Sequence, residues 1–186
     1  MRLKDMEKQQ RIKDAMVRLF LREGIDGASV SKIAREAGVS PATIYVYYSS
    51  KEEMLAEVFR EYAHESYRFL LRQLRPEMDG GELIETLVRS CYAYSTERAE
   101  EFSFVEQCSR CPSLAAQVCE TDCGCDIFAL FHSLQERGAR RRVSDMNLGA
   151  VLFAPVRFLA MNRGTAEDSE ALLSELVRML QYLLLS

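Results

Sequence analysis

Five cysteines lie within one short stretch of the chain, and they are the side chains with the widest chemical range in this sequence. Cys108 and Cys111 are three residues apart and Cys119 and Cys123 are four apart, so each pair shares one face of a helix; Cys125 follows. Three interpretations stay open. The cysteines are small apolar residues of a core or pocket, ligands of a soft metal such as zinc or copper, or thiols that react with oxidants or electrophiles.

Other reactive groups are few. His64 and His132 are the two histidines, and no Ser-His-Asp set, phosphate-binding loop or dinucleotide-binding motif accompanies them. We therefore expect no enzymatic activity and no cofactor. The candidates for a ligand pocket or sensor are Tyr62, Tyr92, Phe104, Cys108, Cys111, Cys119, Cys123, Cys125, Phe128 and His132.

The elements that must position such residues begin with three helices at the front of the chain. Residues 11–20 place apolar side chains at i, i+3, i+4, i+7 and i+8, and Gly24 follows as a C-cap. Ser29 has the chemistry of an N-cap for a second helix, which ends at Gly38. Ser40 is the corresponding N-cap of a third helix.

The third helix starts with Pro41, whose missing N–H costs nothing in a first turn. We expect this helix to turn Ile44, Tyr45 and Tyr48 inward and to leave Tyr47 exposed. Two short helices joined by a turn with glycine form a helix-turn-helix arrangement.

Helical patterns continue along the rest of the chain. They cover residues 51–74, 82–96, 100–110, 113–137, 145–162 and 167–185. The Asp79-Gly80-Gly81 turn is expected to separate two of these helices, and Pro155 to interrupt another. No strand pattern of period two occurs, so the sequence predicts an all-α fold of about nine helices. The last two helices are apolar on more than one face, which predicts a homodimer formed through them.

Length and charge narrow the class of protein. A chain of 186 residues suits one large domain or two small ones, and we expect domains at 1–50 and 51–186. The net charge is −4, yet residues 1–51 hold ten Lys/Arg against six Asp/Glu. This basic front favours a nucleic-acid partner. No run of about 18 uncharged apolar residues and no signal-peptide core is present, so we expect a cytoplasmic protein without a membrane partner.

The front segment resembles the tetracycline-repressor (TetR) family of bacterial transcription regulators. The matching features fall in order over residues 11–59. They are Leu19-Phe20, Gly24, Ser29-Val30, Ile33-Ala34, Ala37-Gly38-Val39-Ser40, Thr43-Ile44-Tyr45, Tyr48, and Lys51-Glu52 with Leu55. The resemblance implies an N-terminal helix-turn-helix domain that binds double-stranded operator DNA, followed by a helical domain for ligand binding and dimerisation.

The resemblance also implies which residues contact DNA. These are Ser29, Ser31, Lys32, Ser40, Pro41, Ala42, Thr43, Tyr45, Tyr47 and Lys51. Thr43, Tyr47 and Lys51 offer groups that position phosphates. Pro41 and Ala42 can meet a thymine methyl but cannot read guanine through a bidentate bond.

Two functional hypotheses follow. In the first, the chain is a sequence-specific transcriptional regulator, a repressor released by a small-molecule, thiol or metal signal. In the second, it is a cysteine-based metal- or redox-handling protein with a vestigial DNA-binding segment. The sequence identifies neither the operator nor the effector.

Overall fold

A computed structural model describes residues 2–112, 114, 127–133, 143–162 and 165–185. The named helices are α1 (Arg2–Gly27), α2 (Val30–Ala37), α3 (Pro41–Tyr47), α4 (Lys51–Leu71), α5 (Gly80–Glu97), α6 (Ala99–Ser109), α7 (Asp145–Met161) and α8 (Ala166–Leu185). Residues 127–133 are also helical, and the described residues contain no strand. The all-α prediction is confirmed. Within these ranges, every helix is too short or too polar to cross a bilayer.

The chain forms two compact units. The first comprises residues 1–63 and 100–120, and the second comprises residues 64–99 and 121–186. The first unit therefore holds α1, α2, α3, the front of α4 and most of α6. The second holds the end of α4 together with α5, α7 and α8. The functional boundary expected at residue 50 stays a prediction.

The first unit is built around an apolar core to which each of its helices contributes. Its most deeply buried large side chains are Ile12, Met16, Leu19, Ile33, Ile44, Tyr48, Met54, Phe59 and Phe104. Lys13 of α1 is buried among them and forms an ion pair with Glu61 of α4. A buried ammonium needs such a partner, because removing a charge from water is costly when the charge is left unpaired.

The second unit packs α5 against both α7 and α8. Its core includes Leu83, Ile84, Leu87, Ile127, Leu148, Leu152, Val177 and Leu180. At the rim, Arg89 of α5 donates from Nε to Glu85 at 2.8 Å and from Nη1 to Glu170 of α8 at 2.9 Å. The α5 start is closed by a capping box, in which Asp79 accepts from the Glu82 N–H and Glu82 accepts from the Asp79 N–H.

Three helices differ from the sequence expectations. α1 begins at Arg2, well before the apolar stripe at residues 11–20. Residues 5–8 are exposed, so the pattern of apolar residues did not indicate this extension. Gly80 and Gly81 lie inside α5 and not in a turn, since Asp79 supplies the cap. Pro155 lies within α7, which runs through it without interruption.

The turn between α2 and α3 generates the first prediction. Gly38 has φ +68°, a left-handed conformation, and a Cβ there would approach only the Arg11 Nη1, at 3.8 Å. Gly38→Ala should therefore cost about 1–2 kcal/mol through the backbone alone. We expect a melting temperature about 2–4 °C lower for each kcal/mol, measured by circular dichroism.

Gly38→Asn is the matched control, because asparagine adopts the left-handed region more readily than alanine does. It should lose less stability than Gly38→Ala. Equal melting temperatures for the two variants would contradict the backbone explanation.

Candidate nucleic-acid interface

The segment from Ser29 to Tyr48 has the geometry of a helix-turn-helix. The Ser29 hydroxyl accepts a hydrogen bond from the Lys32 N–H, and the Ser40 hydroxyl accepts one from the Thr43 N–H at 3.2 Å, so both predicted N-caps are confirmed. Gly38 is the C-cap of α2, and its N–H points to the last carbonyls of that helix. These caps fix the start and end of α2 and the start of α3.

The rotation of α3 about its axis separates its residues into two faces. Ile44 and Tyr48 are buried, whereas Tyr45 is 58% exposed and Val46 is 79% exposed. Pro41 and Ala42 are also exposed. The expectation that Tyr45 points inward is wrong, since one residue beyond Ile44 lies about 100° around the helix.

Tyr47 was expected to be exposed, and it is more buried than predicted. It is half-buried and packs against the core of the first unit, so the expectation of an exposed side chain is wrong. Its hydroxyl donates to the Asp5 carboxylate of α1, and this hydrogen bond, with burial and the negative charge, raises the pKa of Tyr47. The contact exists because α1 extends to Arg2 and so includes Asp5. The residues around Tyr47 therefore could not predict this hydrogen bond from their spacing.

Both lysines in the predicted contact set are held by α1. Lys32 donates from Nζ to Glu23 at 2.6 Å and to the Gly27 carbonyl at 3.0 Å. The hydrogen bond from Lys32 is the largest cause that lowers the pKa of Glu23. Lys51 donates from Nζ to the Ile25 carbonyl at 2.9 Å, so its charge has no carboxylate partner within the described ranges.

Four arginines of α1 and α2 fall into two groups. Arg18 pairs with Glu36 at 3.0 Å, and Arg22 pairs with Glu36 at 3.3 Å and with Glu23 at 3.0 Å. Arg11 and Arg35 are exposed, and the described part of the chain supplies neither with a carboxylate partner.

Arg35 lies within the helix-turn-helix and Arg11 lies beside its turn, and neither belongs to the contact set expected from the sequence. The Arg11 guanidinium lies beside the turn at Gly38. Arg35 lies in the last turn of α2, four residues after the exposed Ser31. Their free charges are suited to phosphate groups. The available signal was the spacing of Ser31 and Arg35, which places both on one helix face.

The candidate ligand and sensor residues are divided between the two units. In the first unit, Phe104 contacts Phe20 and Tyr62 edge-on, with ring centroids 5.1 and 6.0 Å apart. Cys108 is buried in the same core, and Cys111 packs against it. This arrangement is typical of ordinary core packing.

The remaining candidates lie in the second unit or outside the described residues. Tyr92 and Phe128 pack against the core of the second unit. The His132 Nε2 lies 2.5 Å from the Asp145 carboxylate. Cys119, Cys123 and Cys125 are outside the described residues. No group of three or more potential metal ligands occurs in the described ranges.

Burial makes Cys108 a poor nucleophile. The side chain is 1% exposed, and burial together with the nearby Cys111 raises the pKa of its thiol to about 12. Because the thiolate is the reactive form, this raised pKa disfavours reaction of Cys108 near neutral pH. For this residue the geometry favours the apolar-filler interpretation over a reactive thiol.

Comparison with known proteins gives the same fold and a family match over the helix-turn-helix segment. The family described as "Bacterial regulatory proteins, tetR family" matches residues 12–58. A solved TetR family transcription regulator from Marinobacter aquaeolei VT8 superposes with a TM-score of 0.81 at 24% identity, covering 96% of this chain and 97% of that one. The structural likeness extends well beyond the family match.

Two curated relatives share sequence with the chain. An uncharacterized HTH-type transcriptional regulator of Haemophilus influenzae is 26% identical over 142 residues, which cover 73% of this chain and 72% of the relative. The nicotine-responsive transcriptional repressor HdnoR of Paenarthrobacter nicotinovorans is 30% identical over 87 residues. That alignment covers 47% of this chain and 43% of the repressor.

Thiol labelling tests the environment of the cysteines. At pH 8 a thiol of pKa about 12 is ionised in only about one molecule in ten thousand. Iodoacetamide should therefore modify the half-buried Cys111 at least about tenfold faster than Cys108 in the native protein, as read by peptide mass spectrometry. In urea the two rates should converge. Equal rates in the native protein would refute the buried, protonated state of Cys108.

Proposed function

Because the chain is a TetR-family DNA-binding transcriptional regulator, we propose that it is a homodimeric repressor that releases its operator when a small molecule binds. The observation that carries the DNA-binding part is the capped helix-turn-helix, in which α3 presents an exposed face and Arg11 and Arg35 hold free charges beside it. DNA as the partner makes the cytoplasm the site of action.

In the proposed complex, α3 lies in the major groove and α2 crosses the backbone. Arg11 and Arg35 contact phosphates without giving up an existing carboxylate partner. Tyr47 and Lys51 remain in the contact set, and each exchanges its present partner, Asp5 or the Ile25 carbonyl, for a phosphate oxygen. The phosphate contacts position the protein, and the exposed face of α3 meets base edges.

The apolar outer surface of α7 and α8 supports a dimer. In α7 the buried residues Leu148, Leu152, Val156 and Ala160 lie on one side, and the exposed residues Ala150, Ala154, Phe158 and Met161 lie on another. In α8 the exposed apolar residues include Leu172, Met179, Tyr182 and Leu183. A second copy of the chain would bury this surface, and it would space two helix-turn-helix segments for a two-fold symmetric operator.

The effector acts by linkage between two states of the dimer. A small molecule that prefers the state with the wrong half-site spacing weakens DNA binding by the same factor by which DNA weakens binding of that molecule. HdnoR, a relative, is described as a nicotine-responsive repressor, which supports this mode of control for the present chain without indicating its effector.

The salt dependence of DNA binding tests the phosphate contacts. Arg11→Ala and Arg35→Ala should each make the slope of log K against log [salt] less steep by about 0.9. The reason is that each variant loses one phosphate contact in the half-site that one protomer binds. Affinity should fall to a similar extent for all DNA sequences. The measurement is a fluorescence anisotropy titration with a half-site duplex at several salt concentrations.

Arg18→Ala is the matched control. Arg18 is an exposed arginine of α1, the helix that also holds Arg11, and its charge is already paired with Glu36. Its slope should equal that of the wild type. If all three variants keep the wild-type slope, Arg11 and Arg35 do not contact phosphates.

Native mass spectrometry tests the dimer surface. Met179→Glu should raise the dimer Kd by more than about a hundredfold, since an unpaired carboxylate buried at an interface costs several kcal/mol. Met6→Glu, at a methionine of the first unit that is 65% exposed, should leave the dimer intact. A Met179→Glu protein that remains a dimer at nanomolar concentration would exclude this surface as the interface.

A further inference from the structure

We infer that this protein reads its operator half-site through the 5-methyl groups of thymine, which contact the exposed face of α3. The inference rests on the proposed function and deepens it, because it names the chemistry by which bases are selected. The residues that carry it are Pro41, Ala42 and Val46, with Tyr45 at their side.

The composition of α3 excludes the usual hydrogen-bonding code. Its sequence, PATIYVY, contains no guanidinium, ammonium, amide or carboxylate group. Bidentate reading of guanine uses Arg or Lys, bidentate reading of adenine uses Asn or Gln, and cytosine is read by Asp or Glu, whereas a hydroxyl such as that of Thr43 offers a single-point contact. Of the distinguishing groups in the major groove, an apolar face can recognise the thymine methyl.

The exposure of individual side chains places the apolar groups where bases would lie. Ala42 and Val46 are four residues apart and share a face, which lies opposite the buried Ile44. Val46 is 79% exposed, so its branched apolar side chain is accessible to a base in the groove. Tyr45 is 58% exposed and adds one hydroxyl, which can make a single-point contact.

Several polar side chains around α3 are held by the protein itself. The Ser40 and Thr43 hydroxyls lie 2.9 Å apart and bond to each other. Lys32 is held by Glu23 and the Gly27 carbonyl, and the Tyr47 hydroxyl by Asp5. Use of these groups for base recognition would break existing bonds, whereas apolar contact with a thymine methyl breaks none.

Thymine-to-deoxyuridine replacement measures this contact, because the two bases differ only by the methyl group. A duplex is first selected from a random library with the full-length protein, and its thymines are then replaced one at a time. Each contacted methyl should contribute about fourfold in affinity, the value expected for burial of one such group. Because the contact is apolar, the thymine-to-uracil ratio should stay constant as salt lowers the absolute affinity.

Val46→Ala provides the protein side of the test. It should reduce the thymine-to-uracil ratio toward 1 at one or two positions of each half-site and leave the other positions unchanged. Met146→Ala is the matched control, since Met146 is 84% exposed in the second unit. It should keep every ratio at the wild-type value.

The outcomes separate the inference from the function on which it rests. If the selected duplex binds better than random DNA but every thymine-to-uracil ratio is near 1, methyl recognition is overturned and the regulator function stands. If replacing guanine by 7-deazaguanine reduces affinity far more than any thymine replacement does, recognition through guanine contacts replaces methyl recognition, and the inference is overturned. If no duplex binds better than random DNA, the proposed function itself fails, and the inference fails with it.

Discussion

Burial of Ile44 and Tyr48 is the constraint on which the DNA-binding surface depends. These side chains are 2% and 1% exposed and belong to the same core as residues of α1 and α2. Ile44 lies within the seven-residue α3 and Tyr48 is its C-cap, so the burial of both side chains sets the rotation of α3 about its axis. That rotation determines which residues face outward, and it places Ala42 and Val46 opposite the core.

The long α1 helix organises the charges around this surface. Its carboxylate Glu23 engages Lys32 and Arg22, while Asp5 engages the Tyr47 hydroxyl. Lys32 and Arg22 therefore already form ion pairs within the protein, although a count of basic residues would assign both to DNA binding. Arg11 and Arg35 keep their charges available, so the apolar face of α3 and the cations that anchor it come from different helices.

Prediction from the sequence succeeded best for local features. The N-caps Ser29 and Ser40 and the C-cap Gly38 were predicted because each acts within three or four residues along the chain. Tyr45 and Tyr47 were assigned to the wrong sides, because a seven-residue helix with two tyrosines gives no clear amphipathic pattern. Asp5 lies on a turn of α1 without apolar periodicity, and Arg11 is an exposed residue at the start of the apolar stripe, so their proximity to Tyr47 and Gly38 could not be predicted.

By itself the sequence determined the helical class, the helix-turn-helix and its caps, since these depend on apolar spacing and on bonds between near neighbours. Only the tertiary structure decided which side chains of α3 are exposed, which cations are already neutralised, and that Cys108 is a buried core residue. Those properties depend on contacts between residues far apart in the chain. Their energies come from burial and from charge pairs across helices, which no local pattern records.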